Sequence, residues 1–429
     1  MTATRISKIS ESVGSEILIE GWLYNKRSSG GIIFLQLRDG SGMIQGVVKK
    51  NDEENFALAE ALTQESAIRV KGVAKEDPRS PSGYELSINS IEVVSPSEEY
   101  PITPKDHGTG FLMDHRHLWI RSSLQSPVLR IRHEVMQAIR DYFDQNDFIA
   151  TESPILSGVS VEGTTTLFEV DYFDDKAFLS QSGQLYLEAT CMALGRVYWI
   201  GPTFRAERSK TRKHLTEFWM AEAEVAYFDH EDNLVLQEEL VRYIIQRVLE
   251  KRQPELKTLE RDIPALERVL AEPFGRITYD EAVNILKEKG HEIEWGDDFG
   301  APDEEAISAQ FGKPVFIEYF PAKMKAFYME PHPENPELVK AADLIAPEGY
   351  GEIIGGSERI NDKDVLLERL TSHGLSPETY QWYIDLRQYG SVPHAGFGMG
   401  VERFVAWMSG VKHIRECIPF PRQLYRLTP

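Results

Sequence analysis

The chain of 429 residues is poor in cysteine. Its two residues, Cys191 and Cys417, are far apart and neither has zinc-site spacing, which argues against a disulfide scaffold and for a reducing compartment. No apolar run approaches the ~20 residues that a membrane helix requires, and the opening MTATRISKISESVG has no apolar core of the signal-peptide kind. A cytoplasmic protein with no membrane partner is therefore expected. The chain also lacks a basic excess: 47 Lys and Arg face 68 Asp and Glu, a net charge of −21. That balance excludes indiscriminate polyanion binding but leaves a nucleic acid accessible through local basic patches and aromatic stacking. Repeats and low-complexity tracts are absent. Hydrophobic residues make up 41%, enough for packed cores, and the length suggests two to three domains.

The first hundred residues carry strand signals. EILIEGWLYNKR, GIIFLQLRDGSG and MIQGVVKK are bounded by Gly, Ser and Asp. A helical EENFALAEALTQES follows, then AIRVKGVAKED and GYELSINSIEVVS. Three strands, a helix and two strands is the order of an OB-fold barrel, an all-β module whose open face binds oligonucleotides. Residues 1–100 are assigned to it. SPSEEYPITPKDHGTG is rich in Pro, Ser and Gly, and 101–125 is read as a linker or hinge. From 126 to 429 strands and helices alternate, giving a second, α+β domain. It opens on an amphipathic helix in which Val128, Ile131, Val135, Ala138, Ile139 and Tyr142 share one face. FIATESPIL is read as a strand ending near Pro154, and 250–330 as a helix-rich insertion of no evident function.

Against the acidic background, FRAERSKTRKHLTEF is anomalous. Arg205, Arg208, Lys210, Arg212 and Lys213 crowd between two strand-like runs, with His214 beside them. A solvated charged loop is one reading. The other is a triphosphate clamp, since the arginine fork suits phosphate and Phe218 offers a base a stacking face. In AADLIAPEGYGEIIGGSERI, Asp343 and Glu352 are equidistant from a turn centred on Pro347 and Glu348. A hairpin pairing them makes either a surface turn with incidental acids or a Mg²⁺ site completed by phosphate. HAGFGMGVERF spaces its glycines GxGxG, which is not the dinucleotide fingerprint. Gly396, Gly398 and Gly400 would let a ligand lie flat on a strand, or serve close packing, with Arg403 approaching phosphate or making a surface pair. In SVEGTTTLFEV and LSQSGQLYLEA, Glu162, Gln181, Gln184 and Glu188 are polar positions among apolar ones, suited to a small zwitterion or to helix caps and solvated faces.

Together these stretches resemble the class II aminoacyl-tRNA synthetases. The helix and strand ending at Pro154 resemble the first class motif, which builds a dimer interface; FRAERSKTRKHLTEFWMAEAEVAY resembles the second and GFGMGVERF the third. The barrel places the resemblance in the aspartate–asparagine–lysine subgroup, whose catalytic domain is built on an antiparallel sheet and whose barrel binds the anticodon. The resemblance implies a homodimer that uses ATP and Mg²⁺. It puts Arg205 and Glu207 on the α-phosphate and adenine edge, His214 and Arg208 at the terminal phosphates, Leu215 in the ATP site, Phe218 and Arg403 on either face of adenine, and Asp343 and Glu352 on the metal. Arg205, Glu207 and Arg403 are the implied catalytic set. Lys210, Arg212 and Lys213 are left for the tRNA acceptor end.

Aspartyl members typically show QSPQLYKQ, where this chain has QSGQLYLEA, and an Asp where it has Glu222. Leu187 for the lysine and Glu222 for the aspartate suit a carboxamide and repel a carboxylate. SQSGQLY, MAEAE and GYGEIIGGSERI resemble the asparagine branch, implying L-asparagine and tRNA(Asn) as substrates, ATP going to AMP and pyrophosphate. Arg387 is then expected on the carboxamide oxygen, with Glu162, Ser180 and Gln184 about the amino acid. In the barrel, Phe34 is expected to stack an anticodon base, with Arg27 and Gln45 beside it, unless Phe34 is core. The competing readings are a relaxed, non-discriminating aspartyl enzyme, a synthetase-like asparagine synthetase acting without tRNA, and a non-catalytic RNA-binding paralogue. Leu187 with Glu222, the barrel, and the intact Arg205, Glu207, Glu352 and Arg403 set count against them in turn.

Overall fold

The computed structural model describes residues 2–80, 82–163 and 166–429. The chain divides into two compact units, Met1–Thr109 and Gly110–Pro429.

In the first unit, β1 (Glu16–Ser29), β2 (Ile32–Arg38), β3 (Met43–Lys49), β4 (Ala67–Glu76) and β5 (Tyr84–Ser95) close a barrel in the order β1-β2-β3-β5-β4. The expected strand–helix order holds, with the helix Glu53–Ala61 between β3 and β4. Alternation explains the closure. Along β2, Ile33, Leu35 and Leu37 are buried while Ile32, Phe34 and Gln36 are only half-buried. The inward set meets Ile17, Ile19, Leu23, Ile44, Val70 and Leu86 in one core. Asp52 caps the helix by accepting from the Asn55 amide, which satisfies one of the free N–H groups of the first turn.

The second unit is built on an eight-stranded sheet. After β6 (Ile149–Ala150) and the small sheet of β7 (Leu156–Ser157), β8 (Glu169–Tyr172) and β9 (Asp175–Leu179) come β10 (Arg196–Phe204), β11 (Glu217–Ala226), β12 (Gly275–Thr278), β13 (Val315–Pro321), β14 (Leu338–Ala346), β15 (Gly351–Glu358) and β16 (His394–Gly400). The order is β12-β13-β14-β15-β16-β11-β10-β6. All joins from β13 to β10 are antiparallel, and the two outermost are parallel. The helix Gln125–Gln145 buries all six residues that the periodicity singled out. They join His230–Lys251 and Val401–Ser409 in the main core against the sheet, each large side chain contributing about 1.5–3 kcal/mol.

Three expectations are corrected. Residues 109–119, placed in the linker, form the helices Thr109–Asp114 and Arg116–Trp119. Arg116 is fully buried and donates to Gln125 Oε1 and to the Pro419 and Ile418 carbonyls, so this half belongs to the second unit's packing. The strand expected to end near Pro154 is only β6, two residues long. The segment 250–330 is not helix alone. It supplies β12 and β13 to the sheet edge and much of a second core around Tyr279, Leu286, Ile307, Ile317 and Phe320. Among the described residues, no helix is long and apolar enough to cross a membrane.

Candidate active site

Strand register builds the site. Asp343 lies opposite Gly355, Gly355 opposite Gly398, and Gly398 opposite Glu222. Residues paired in antiparallel strands project to one face. A single row therefore crosses four strands as carboxylate, glycine, glycine, carboxylate, and all four residues line a cavity of about 260 Å³. Gly396, Gly398 and Gly400 alternate, so they strip that face of β16 of side chains. The space is used: a Cβ on Gly398 would come within 2.6 Å of Met220 Cε, and one on Gly396 would overlap the Glu224 carboxylate.

At the Glu222 end the cavity is lined by Glu162, Ser182, Gln184, Tyr328 and Arg359. Glu222 is buried; its two oxygens accept from Ser182 Oγ and the Gly183 amide, each at 2.7 Å. Burial raises its carboxyl pKa to about 7, although those two donors favour ionisation. Glu162 accepts from the Tyr328 hydroxyl at 3.0 Å. Gln181 fixes the loop carrying it, its Oε1 accepting from the Val161 and Glu162 amides. Arg359 reaches the same space, held by Glu224 through Nε at 3.1 Å. Burial works against the Arg359 charge, but Glu224 outweighs it and raises the guanidinium pKa.

Beyond Arg205, which lines both spaces, a second cavity opens between Phe218, Glu207, Lys213, His214, Leu215, Glu352 and Arg403. Residues 205–216 form the loop of the β10–β11 hairpin. The Arg205 guanidinium lies 5.4 Å from the Phe218 ring centroid, and its Nε is buried with no partner among the described residues. Glu207 faces His214 Nε2 at 3.5 Å. Burial, then the Arg403 charge, lower the His214 pKa against the opposing Glu207 carboxylate. Arg403 stands on the first turn of Val401–Ser409 and donates Nη1 to the Glu352 carbonyl at 2.9 Å.

Between the two spaces, Asp343 and Glu352 converge without being paired. A bulge between Leu344 and Ile345 sets Glu352 opposite Ile345, which corrects the symmetric pairing expected about Pro347 and Glu348. A Cβ on Gly355 would sit 3.0 Å from Glu352 Oε1 and 3.6 Å from Asp343 Oδ1. Two carboxylates facing each other over a bare strand fit a hard divalent cation that takes its other ligands from phosphate. Lys325 Nζ lies 2.6 Å from Asp343 Oδ2. Burial raises the Asp343 pKa against that lysine, and the Glu352 charge raises it further. For Glu352 burial is outweighed by Arg403, Lys325 and Arg205, which lower its pKa.

The family described as tRNA synthetases class II (D, K and N) matches residues 109–424, and that of the OB-fold nucleic acid binding domain matches 17–94. An asparagine–tRNA ligase from Desulforamulus reducens is 58% identical over 430 residues, covering 100% of both chains. This chain belongs to the class II aminoacyl-tRNA synthetases, in the asparagine–tRNA ligase branch. Solved members are similar throughout. The asparaginyl-tRNA synthetase of Pyrococcus horikoshii, complexed with asparaginyl-adenylate, is 44% identical with a TM-score of 0.96 over 100% of each chain. That of Entamoeba histolytica, also with asparaginyl-adenylate, is 34% identical with a TM-score of 0.90 over 97% of each.

Set against the residues expected from the synthetase resemblance, the geometry gathers most and relocates a few. Arg205, Glu207, His214, Leu215, Phe218, Glu352 and Arg403 line one cavity; Glu162, Gln184, Glu222 and Asp343 line the other. Arg387 does not reach it. Its buried Nη2 donates to Glu188 at 2.6 Å and its Nε to the Ile360 carbonyl. The guanidinium at the Glu222 end of the pocket is Arg359, at the end of GGSERI, where nothing local distinguishes it from a surface arginine. Leu187 packs with Cys191, Val197 and Trp199, behind Met220, and is not on the cavity wall. Ser180 is buried, its Oγ donating to the Ser182 carbonyl. Arg208 is exposed and off the lining. Lys213 is not free for RNA, since it pairs with Glu304 at 3.0 Å. Tyr328, Lys325 and Asp298, also on the lining, carry no periodic or motif signal, whereas Ser182 lies within SQSGQLY, which does not single it out. In the barrel, Arg27, Phe34 and Gln45 do meet. Arg27 lies 4.5 Å over the Phe34 ring and donates to Gln45 Oε1 at 3.4 Å. Phe34 is half-buried and outside the core cluster, so it stands on the outer face.

Proposed function

We propose that the protein activates L-asparagine with ATP as the adenylate and transfers it to the 3′ end of tRNA(Asn). The observation that carries this reading is the continuous row from Glu222 to Asp343, with Arg205 common to both cavities. Glu162 and Gln184 take the α-ammonium. Glu222, held as an acceptor by Ser182 and Gly183, takes the carboxamide NH₂, and Arg359 donates to its oxygen. The α-carboxylate then points along the glycine floor to Arg205. There it attacks the α-phosphorus in line, and pyrophosphate leaves toward His214. Phe218 and Arg403 hold the adenine, with Glu207 and Leu215 along its edge. No protein nucleophile is required, because catalysis is positioning and neutralisation of developing charge. Asp343 and Glu352 would hold Mg²⁺, which when bound neutralises phosphate oxygens. The exposed Arg208, Lys210 and Arg212 face the acceptor end, and the barrel face of Arg27, Phe34 and Gln45 binds the anticodon. A homodimer and a cytoplasmic location, consistent with two free buried cysteines, complete the proposal.

The deciding experiment is ATP–pyrophosphate exchange without tRNA, comparing asparagine with aspartate. Exchange with asparagine alone supports the reading; exchange with aspartate replaces it with an aspartyl or relaxed enzyme.

Glu222 makes this selectivity depend on pH. With its pKa raised to about 7, it is ionised above that pH, repelling aspartate, and neutral below it. The asparagine-to-aspartate ratio of exchange rates is therefore expected to fall as pH drops from about 8 to about 6. A ratio constant across that range removes Glu222 from the discrimination.

Phe34→Ala is expected to lower kcat/KM for tRNA charging by about 5- to 150-fold, from the ~1–3 kcal/mol of a base stack. Pyrophosphate exchange and thermal stability should be unchanged. Loss of stability would return Phe34 to the barrel core.

A further inference from the structure

The segment 250–330 lines the other cavity through Asp298, Lys325 and Tyr328, and it touches the wall of the ATP cavity through Glu304. Its helix Ala301–Phe311 carries Glu304 in the first turn, yet that carboxylate is only 14% exposed. Its Oε2 accepts from Lys213 Nζ at 3.0 Å and its Oε1 from the Glu352 amide at 3.3 Å. The Lys213 carbonyl in turn accepts from Arg403 Nε at 3.4 Å, and Arg403 Nη1 donates to the Glu352 carbonyl at 2.9 Å. The four contacts close a ring, Glu304–Lys213–Arg403–Glu352, drawn from four separate elements around the cavity mouth. Gly351 makes room for it. Its φ of +75° favours glycine, and a Cβ there would overlap both the Glu304 carboxylate and Lys213 Nζ.

We infer that Glu304 is a positioning residue for ATP, holding the Lys213 ammonium and the Glu352 backbone at the mouth of the nucleotide cavity. The inference rests on the adenylation reading above and gives the segment 250–330 a part in it. Glu304 is not on the cavity lining; it acts through Lys213 and Glu352, which are. A long cation on a loop has many rotamers open to it, and a buried carboxylate that fixes it removes that entropy before ATP arrives. Of the ring only Glu352 also lines the other cavity, away from its Glu222 end, so the effect falls mainly on ATP.

The test is pyrophosphate exchange by the full chain, varying ATP at saturating asparagine and then the reverse, with melting curves for each variant. Glu304→Gln is expected to raise KM for ATP about tenfold, the loss of one charge-assisted contact, while KM for asparagine moves less than about twofold. Glu304→Asp should recover part of the loss. In a double-mutant cycle, adding Lys213→Met to Glu304→Gln should cost much less than Lys213→Met alone. With exchange intact, an unmoved KM for ATP in Glu304→Gln overturns the inference alone. Equal rises in both KM values that track the melting temperature overturn it too, by making Glu304 merely structural. No exchange with asparagine in the unsubstituted protein overturns the adenylation reading itself, and the inference with it.

Discussion

Arg205→Ala is expected to lower asparagine-dependent pyrophosphate exchange by about 10²–10³-fold, the scale for removing one preorganised donor from a developing anion. Arg205 alone combines three features. It lines both cavities, it faces Phe218, and its Nε is buried without a partner among the described residues. A buried donor left unsatisfied is costly to maintain, which makes sense where a ligand oxygen completes it. Lysine should rescue little, because a point charge does not reproduce the planar fork. The loss should appear in kcat as well as in KM, since the demand for positive charge grows as the pentacoordinate phosphorus forms. A variant that lost only ATP affinity would leave Arg205 as a binding group.

Arg359→Met is expected to fail in two separable ways. It leaves Glu224 buried without its cation, at a cost of about 3–5 kcal/mol in stability, read as a lower urea midpoint. It also removes the donor assigned to the carboxamide oxygen. Arg359→Met combined with Glu224→Gln should recover most of the stability, because no buried charge is then unpaired. Asparagine activation should stay lost in both. Recovery of activation in the double variant would make Arg359 a structural residue and return the search for the carboxamide donor to the other polar groups on the wall.

What the sequence made legible follows the range of the interactions involved. The barrel, the helix Gln125–Gln145 and the β10–β11 hairpin are written in local periodicity and turn residues, and they appear where expected. The residues that the resemblance assigned to ATP come together because most lie within two short stretches, each folded as one strand and its adjoining loop or helix. Choices set by distant packing were not. Arg359 and Arg387 differ only in which buried glutamate claims them, Glu224 or Glu188. Glu188 also takes His394 and the Tyr383 hydroxyl, and this network withdraws Arg387 from the pocket. Leu187 is one residue before Glu188 on the same helix, and a helical rotation of about 100° is enough to turn it toward Trp199. The bulge at Leu344/Ile345 displaced the symmetric carboxylate pair, and a one-residue irregularity has no reliable sequence signature. The segment 250–330 read as helix-rich because its helices outnumber β12 and β13, whose sheet partners include strands remote in sequence.

The row of Asp343, Gly355, Gly398 and Glu222 also works as a ruler. Adjacent strands lie about 4.8 Å apart, so its three steps span roughly 14 Å from the backbone of β14 to that of β11. This length is set by interstrand hydrogen bonding, not by rotamers, and it cannot relax to suit a guest as a pocket of long side chains can. On the proposed binding mode, an amino acid longer by one methylene, with its carboxamide at Glu222, would carry its carboxylate past the point where Arg205 and the α-phosphate would meet. On that mode, discrimination by size is built into the pitch of the sheet, and discrimination by charge into one glutamate at its end.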